Sequence, residues 1–167
     1  MLARENCLIV KEKSMKEKTL VIVKPDGVLR GLIGTVIERL ERKGLKIVAG
    51  KFASIERKLA EKHYAEHEKK PFFGNLVDFI TSAPVMLLVV EGNKAVSVVR
   101  NLVGATNGTE SAPGTIRGDF GCSRAFNLIH ASDSTTSAKR EIDLFFHSAD
   151  IQSYGLPAQA YLFEENE

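Results

Sequence analysis

The segment Thr19–Gly44, TLVIVKPDGVLRGLIGTVIERLERKG, carries one strand and one helix joined by a tight turn. Thr19 to Lys24 is a β-branched apolar run, and Pro25-Asp26-Gly27 ends it with strong turn punctuation. From Val28 onward, Leu29, Leu32, Ile33, Val36, Ile37 and Leu40 recur at helical spacing, and Gly44 follows as the expected C-terminal stop. Gly31 and Gly34 each weaken that helix by roughly 1 kcal/mol relative to alanine, which points to close packing or a needed turn near its start.

The same alternation continues toward the C-terminus. Leu45 to Ile55 reads as a second strand, with Ile47, Ala49 and Lys51 on one side and Val48, Gly50 and Phe52 on the other. Lys58 to His67 is a short polar helix. Pro71 sits at the natural first position of another, whose apolar stripe is Phe72, Phe73, Leu76, Val77 and Ile80. Val85 to Val90 is nearly all apolar, as expected of a strand covered on both faces, and Lys94 to Val103 forms a further helix. Gly104 to Ala125 has little periodicity and is longer than an ordinary connection, which marks it as a candidate binding loop. Asn127 to His130 forms a fourth strand, and Ala138, Ile142, Phe145 and Phe146 mark the helix after it.

Residues 1–18 are charged and irregular and read as a frayed tail, which leaves 19–167 as a single domain. The element order predicts an α+β fold. Its most plausible form is a ferredoxin-like sandwich, a four-stranded antiparallel sheet covered by helices, with an extra helical hairpin between the second and third strands.

Composition narrows the function classes. The chain has 167 residues, is 44% hydrophobic and carries a net charge of +2, with both signs mixed along it. It has no basic block of the kind that binds nucleic acid, so nucleic-acid binding is not indicated. Cys7 and Cys122 are far apart and lack metal-ligand spacing, which suggests neither a disulfide framework nor a zinc site. The apolar runs are too short to span a bilayer, and the expected setting is a reducing cytoplasm.

His130 stands at the end of the fourth strand, followed at once by helix-starting residues. An imidazole so placed is either a satisfied core histidine or a held reactive group. Lys24 closes the first strand, and polar strand ends beside turns are where sites gather, so Lys24 and His130 are candidates for one rim. Arg100, Thr106 and Arg117 border or lie within the long loop and supply groups suited to a polyanion. Glu141 lies about 40° around its helix from Phe145 by the 3.6-residue period, and so borders the buried face. A carboxylate there that accepts a hydrogen bond from one imidazole nitrogen fixes the tautomer and leaves the other nitrogen free as a nucleophile.

Other motifs carry less. Neither glycine-rich phosphate-loop pattern occurs, and Ser132, Asp133 and Ser134 beside His130 do not make a hydrolase triad. His63 and His67 are four apart on a helix, but no third metal ligand is evident from sequence. Arg117-Gly118-Asp119 spells an adhesion tripeptide, a match at the level of chance.

Four motifs carry a resemblance: Lys24-Pro25-Asp26-Gly27, Pro71-Phe72-Phe73, the stretch Pro113 to Phe120 (PGTIRGDF), and Asn127 to Ser134 (NLIHASDS). From about Thr19 to Phe163 the chain resembles the nucleoside diphosphate kinases. The resemblance implies a ping-pong transfer in which a nucleoside triphosphate, typically ATP, gives its terminal phosphoryl to a histidine, and the phosphohistidine passes it to a nucleoside diphosphate. This maintains the NTP and dNTP pools. It makes His130 the nucleophile through Nδ1, with Glu141 holding the other ring nitrogen. Lys24 and Asn127 would contact phosphate and ribose, while Arg100, Thr106 and Arg117 clasp the phosphates. Tyr64 and Ser132 would pack around the histidine, and Phe72 would stack on the base with Leu76 beside it, so that Gly104–Ala125 is a nucleotide-binding loop. It implies Mg2+ held mainly by nucleotide phosphates and water, with Asp133 as an outer contact. It implies a homo-oligomer, a hexamer in preference to a tetramer. Two departures stand out: GCSRAF at 121–126 leaves Arg124 where an apolar contact to the base is expected, and Gly108 replaces a frequent loop proline, which would loosen the loop.

Overall fold

A computed structural model describes residues 17–156. Its centre is a four-stranded sheet in the order β2-β3-β1-β4, built from β1 (Glu17–Val23), β2 (Lys46–Ala53), β3 (Val85–Gly92) and β4 (Ile129–Ala131). Every neighbouring pair is antiparallel, with Val21 opposite Leu88 on one side of β1 and opposite Ala131 on the other. This is the ferredoxin-like α+β arrangement expected from the element order.

Both faces of the sheet are covered, because β1 and β3 are apolar at consecutive positions rather than at alternate ones. Leu20 to Val23 and Leu87 to Val90 are all buried. On one face Leu20, Ile22, Leu87 and Val89 pack with residues of α3 (Arg57–His63), α4 (Phe73–Ile80) and α7 (Thr135–Phe145). On the other, Val21, Val23, Leu88 and Val90 pack with α2 (Ile33–Arg42), α5 (Ala95–Val103) and the short α6 (Ile116–Phe120).

The elements depart from expectation in several places. The helix expected over Lys58–His67 ends at His63 and passes into a 3-10 turn at Ala65–His67, and the fourth strand runs Ile129–Ala131 rather than Asn127–His130, because Asn127 and the left-handed Leu128 lie outside the ladder. β1 starts at Glu17, two residues before Thr19, where the Glu17 carboxylate accepts the Val96 amide at the start of α5. The expected helix from Val28 is two helices, α1 (Pro25–Leu29) and α2, separated at Gly31, whose φ of +69° breaks the hydrogen-bond ladder. β2 bulges between Ile47 and Ala49, so Ala49 joins Val48 on the α3 face instead of sharing a side with Ile47. Pro71 lies in the turn before α4, which begins at Phe73. The Gly104–Ala125 segment contains α6, whose first turn is capped by the Thr115 hydroxyl accepting the Gly118 amide. At Gly108 the backbone of Gly121 lies so close that a Cβ would meet its carbonyl, so this close approach is one that only glycine accommodates.

Candidate active site

The site forms where the C-terminal end of β1, β4 and the loop segment meet. β4 pairs with the end of β1, so His130 lies opposite Ile22, two residues before Lys24. The residue that feeds β4 is unusual. Leu128 has φ of +69° although it is not glycine, a conformation that costs of order 1 kcal/mol or more and persists only when its surroundings hold it. Three contacts do so. Its amide donates to Asp26 Oδ2 at 2.9 Å, its carbonyl accepts the Lys24 amide at 2.8 Å, and its side chain is fully buried. Sequence reading passed over Asp26, whose only signal was its place in the turn after β1.

Next to this kink, Lys24 Nζ donates to Asn127 Oδ1 at 2.7 Å, and the Asn127 amide group donates to the carbonyls of Thr106 and Arg124. Lys24 is 7% exposed. Burial, reinforced by the charge of Arg117, draws its ammonium down to about 8.

Arg117, expected as a phosphate clasp, is tied first to the backbone. Nε donates to the Asn127 carbonyl at 3.0 Å, Nη2 to Ile129 at 2.7 Å, and Nη1 to Gly104 and Ala105 at 3.2 and 3.3 Å. It thus stitches both ends of the loop segment to β4. Burial, then the charge of Arg100, pulls the guanidinium down to about 10, so it keeps its charge at neutral pH. With Arg117 buried and Asp119 paired to Arg39, the adhesion tripeptide is not on display.

His130 Nε2 lies 2.9 Å from Glu141 Oε2, on α7. The same oxygen accepts the Ser132 hydroxyl at 2.7 Å, and Ser132 Oγ in turn accepts the Leu20 amide. Burial alone would raise the Glu141 carboxyl. The hydrogen bond and charge of His130, together with Ser132, outweigh it and hold the group below its ordinary value. Glu141 is therefore an ionised acceptor. That fixes the proton of neutral His130 on Nε2 and leaves the Nδ1 lone pair free.

The helical hairpin walls the site with an aromatic chain. From Phe72 the rings of His67, Tyr64, His63 and His130 follow at centroid separations of 5.8, 6.5, 4.6 and 4.7 Å. Tyr64 thus touches His63, and His63 touches His130. Phe72 is 46% exposed and Phe126 58%, unusual for rings, and Phe126 packs edge-on against Phe79. Phe126 was not singled out from sequence, where it is one apolar letter at the end of GCSRAF.

Leu76 is half-buried against the α3 face of the core. Arg100, Thr106 and Asp133 are exposed. The Asp133 carboxyl is held below its usual range, chiefly by a hydrogen bond from Ser137.

A sequence profile described as nucleoside diphosphate kinase matches residues 17–151, which include every residue of this site. The chain belongs to the nucleoside diphosphate kinase family. It is 60% identical over 149 residues to a nucleoside diphosphate kinase of Archaeoglobus fulgidus, covering 89% of this chain and 99% of that one. It is 55% identical over 148 residues to one of Staphylococcus epidermidis, with the same coverage. Among solved structures it is similar to a halophilic nucleoside diphosphate kinase from Halobacterium salinarum in complex with CDP. The TM-score is 0.88 and the identity 53%, over 89% of this chain and 99% of that one. A family protein from Babesia bovis superposes with a TM-score of 0.85 at 46% identity, over 88% of this chain and 99% of that one. As a member of this nucleoside diphosphate kinase family the chain is a nucleotide-binding kinase. Among the described residues no helix is long and apolar enough to cross a membrane.

Proposed function

We propose that this kinase carries the terminal phosphoryl of a nucleoside triphosphate, typically ATP, on Nδ1 of His130 and then delivers it to a different nucleoside diphosphate. The observation that carries this reading is the Glu141–His130 hydrogen bond, because it commits one ring nitrogen to a carboxylate and leaves the other as a lone-pair donor. In the first half-reaction Nδ1 forms a bond to the γ-phosphorus as the bond to the β–γ bridging oxygen breaks and the nucleoside diphosphate leaves. As Nδ1 bonds phosphorus, the ring gains positive charge, which ionised Glu141 stabilises across the Nε2–H hydrogen bond. The second half-reaction reverses these steps with a new diphosphate.

Phosphoryl transfer asks mainly for positioning and charge neutralisation. Lys24 and Asn127, hydrogen-bonded to each other, are assigned to the transferring phosphate and the ribose. Arg117 has five N–H groups, of which four are used on carbonyls, so one remains for a phosphate oxygen. Arg100 and Thr106 are exposed beside it and complete the clasp, while Ser132 anchors Glu141 and Tyr64 packs behind His63. Phe72 offers an exposed face to a base, with Leu76 next to it. Stacking ignores the edge pattern of the base, so broad base tolerance is expected.

The exposed, ionised Asp133 is a single carboxylate rather than a cage. It would give an outer contact to a magnesium ion brought in on the nucleotide, and such an ion, when bound, would supply charge neutralisation for the phosphates. We assign the chain to the cytoplasm, where nucleotide pools are held, and to a homo-oligomer, a hexamer in preference to a tetramer. The exposed Leu29 and Phe52 are apolar side chains that a second copy would cover.

Steady-state kinetics with ATP and GDP varied together test the mechanism. A ping-pong enzyme gives parallel double-reciprocal lines. Intersecting lines would instead mean that both nucleotides must be bound at once, and the phosphohistidine reading would fall.

A further inference from the structure

His63 is a buried residue that the phosphotransfer chemistry leaves without a task. It ends α3 and is only 6% exposed, and its ring lies edge-on to His130, Tyr64 and Phe145 at 4.7, 4.6 and 5.3 Å. Neither of its ring nitrogens has a hydrogen-bond partner among the described residues. Buried polar groups without partners are rare and ask for an explanation. Burial, then the neighbouring His130, takes the His63 imidazole down to about 3, so it is neutral and both of its nitrogens are not simultaneously protonated.

A nitrogen of His63, a nitrogen of His130 and a carboxylate oxygen of Glu141 all lie within 4.8 Å of one another. Two imidazoles and one carboxylate are the donor set of three-ligand zinc centres, which keep the fourth position open. With zinc–nitrogen bonds of about 2.0–2.1 Å, tetrahedral ligand atoms stand about 3.3 Å apart, so the triad closes on a metal by roughly 1.5 Å or less. The sequence suggested pairing His63 with His67, four residues on. The fold instead turns His63 toward two residues more than sixty positions away.

We propose that His63, His130 and Glu141 form a site for a borderline-soft divalent ion, zinc first, whose occupation masks the nucleophile. If the ion takes Nε2 of His130, the ring proton is forced onto Nδ1 and the lone pair needed for attack is lost. If it takes Nδ1, it occupies that lone pair directly. Magnesium prefers oxygen ligands and does not compete for the two imidazoles, so the two ions select different groups in one cleft. Lys24 and Arg140 face the same region and repel a dication, and Arg140 Nη2 lies 3.9 Å from Glu141 Oε1. Binding is therefore expected to be reversible by a chelator. That the ion masks a nucleophile rests on the proposed role of His130, whereas the binding itself does not.

The test is calorimetry with zinc chloride alone, no nucleotide present, on the full chain with its cysteines alkylated so that thiols do not compete. The wild type should show one tight step, and cobalt(II) should give a tetrahedral absorption spectrum. His63→Phe keeps the ring packing and removes both nitrogens, and His63→Gln covers the case in which His63→Phe does not fold. In either variant the tight step should weaken at least tenfold and the tetrahedral spectrum should disappear. Labelling from γ-labelled MgATP should then be blocked by zinc in the wild type and persist in the variant. No tight step, an equal step in the variants, or wild-type labelling indifferent to bound zinc overturns the proposal. Absence of label without zinc would instead contradict the kinase mechanism.

Discussion

Glu141 Oε2 sits 2.9 Å from His130 Nε2 and 2.7 Å from the Ser132 hydroxyl, so one carboxylate oxygen orients the imidazole while a serine orients the carboxylate. Glu141→Gln replaces an acceptor with a group whose N–H can donate to Nε2, which moves the ring proton to Nδ1. Phosphohistidine formation should fall by up to about 10⁴-fold, the loss seen when an orienting carboxylate of this kind becomes an amide and the wrong tautomer results. Single-turnover labelling measures it. The linkage runs in one direction: the carboxyl is held below its ordinary value in the folded chain, so its contribution to stability is present above about pH 4.5 and is lost as pH falls through the folded value. Denaturant titrations of wild type and variant should converge below that pH.

Lys24 titrates close to the working range. Its ammonium is charged below about pH 8 and loses its charge as pH rises through that value, which removes a cation from the phosphate site. The kcat/KM profile, which reports the free enzyme, should fall on the alkaline side with a break near 8. The kcat profile should break higher, because bound phosphates favour the charged form. Lys24→Met should lose both the activity and the break.

Arg117 joins the loop segment to β4 through four carbonyls, so its removal affects the fold as well as the site. Arg117→Ala should lower stability by about 3 kcal/mol, the scale of leaving several buried acceptors unpaired. It should raise the transfer barrier by about 3 to 4 kcal/mol, by analogy with removing one preorganised donor. Arg117→Lys should rescue little of either, since a point charge cannot reproduce the planar fork. Thermal melts and kcat/KM on the same samples separate the two effects.

Asp26 holds the left-handed turn at Leu128 and touches neither His130 nor the nucleotide in the proposed reading. Asp26→Asn keeps an acceptor for the Leu128 amide and should retain most activity. Asp26→Ala leaves that amide unpaired, should cost about 1 to 3 kcal/mol of stability, and should lower kcat more than it changes KM. Equal losses in the two variants would mean that the charge of Asp26, not its hydrogen bond, is what matters.

The order of strands and helices was legible because apolar periodicity survives on both faces of the sheet. The nearness of Glu141 to the core followed from helical spacing alone. What stayed hidden depends on contacts between distant residues. The turn at Gly31 was signalled by its glycine, whereas the bulge at Val48 and the capped turn at Thr115 are set by backbone geometry that periodicity does not report. Leu128 is an ordinary apolar letter whose left-handed conformation exists only because Asp26 and Lys24 hold it. His63 suggested a partner one helical turn away, whereas its neighbour in space is His130. Arg117 read as a group suited to a polyanion, and its burial among carbonyls is set by contacts that exist only once β4 and the loop are in place.

In the proposed mechanism the phosphoryl group rests on Nδ1 of His130. The most direct measurement is phosphorus NMR of the full chain after brief exposure to MgATP and removal of nucleotide, paired with peptide mapping under alkaline conditions that preserve phosphohistidine. One phosphorus signal of the Nδ1-phosphohistidine type is expected, mapped to His130, lost in acid, discharged by added GDP and absent in His130→Ala. A signal on Nε2, a label on another residue, or unchanged labelling in His130→Ala would contradict it.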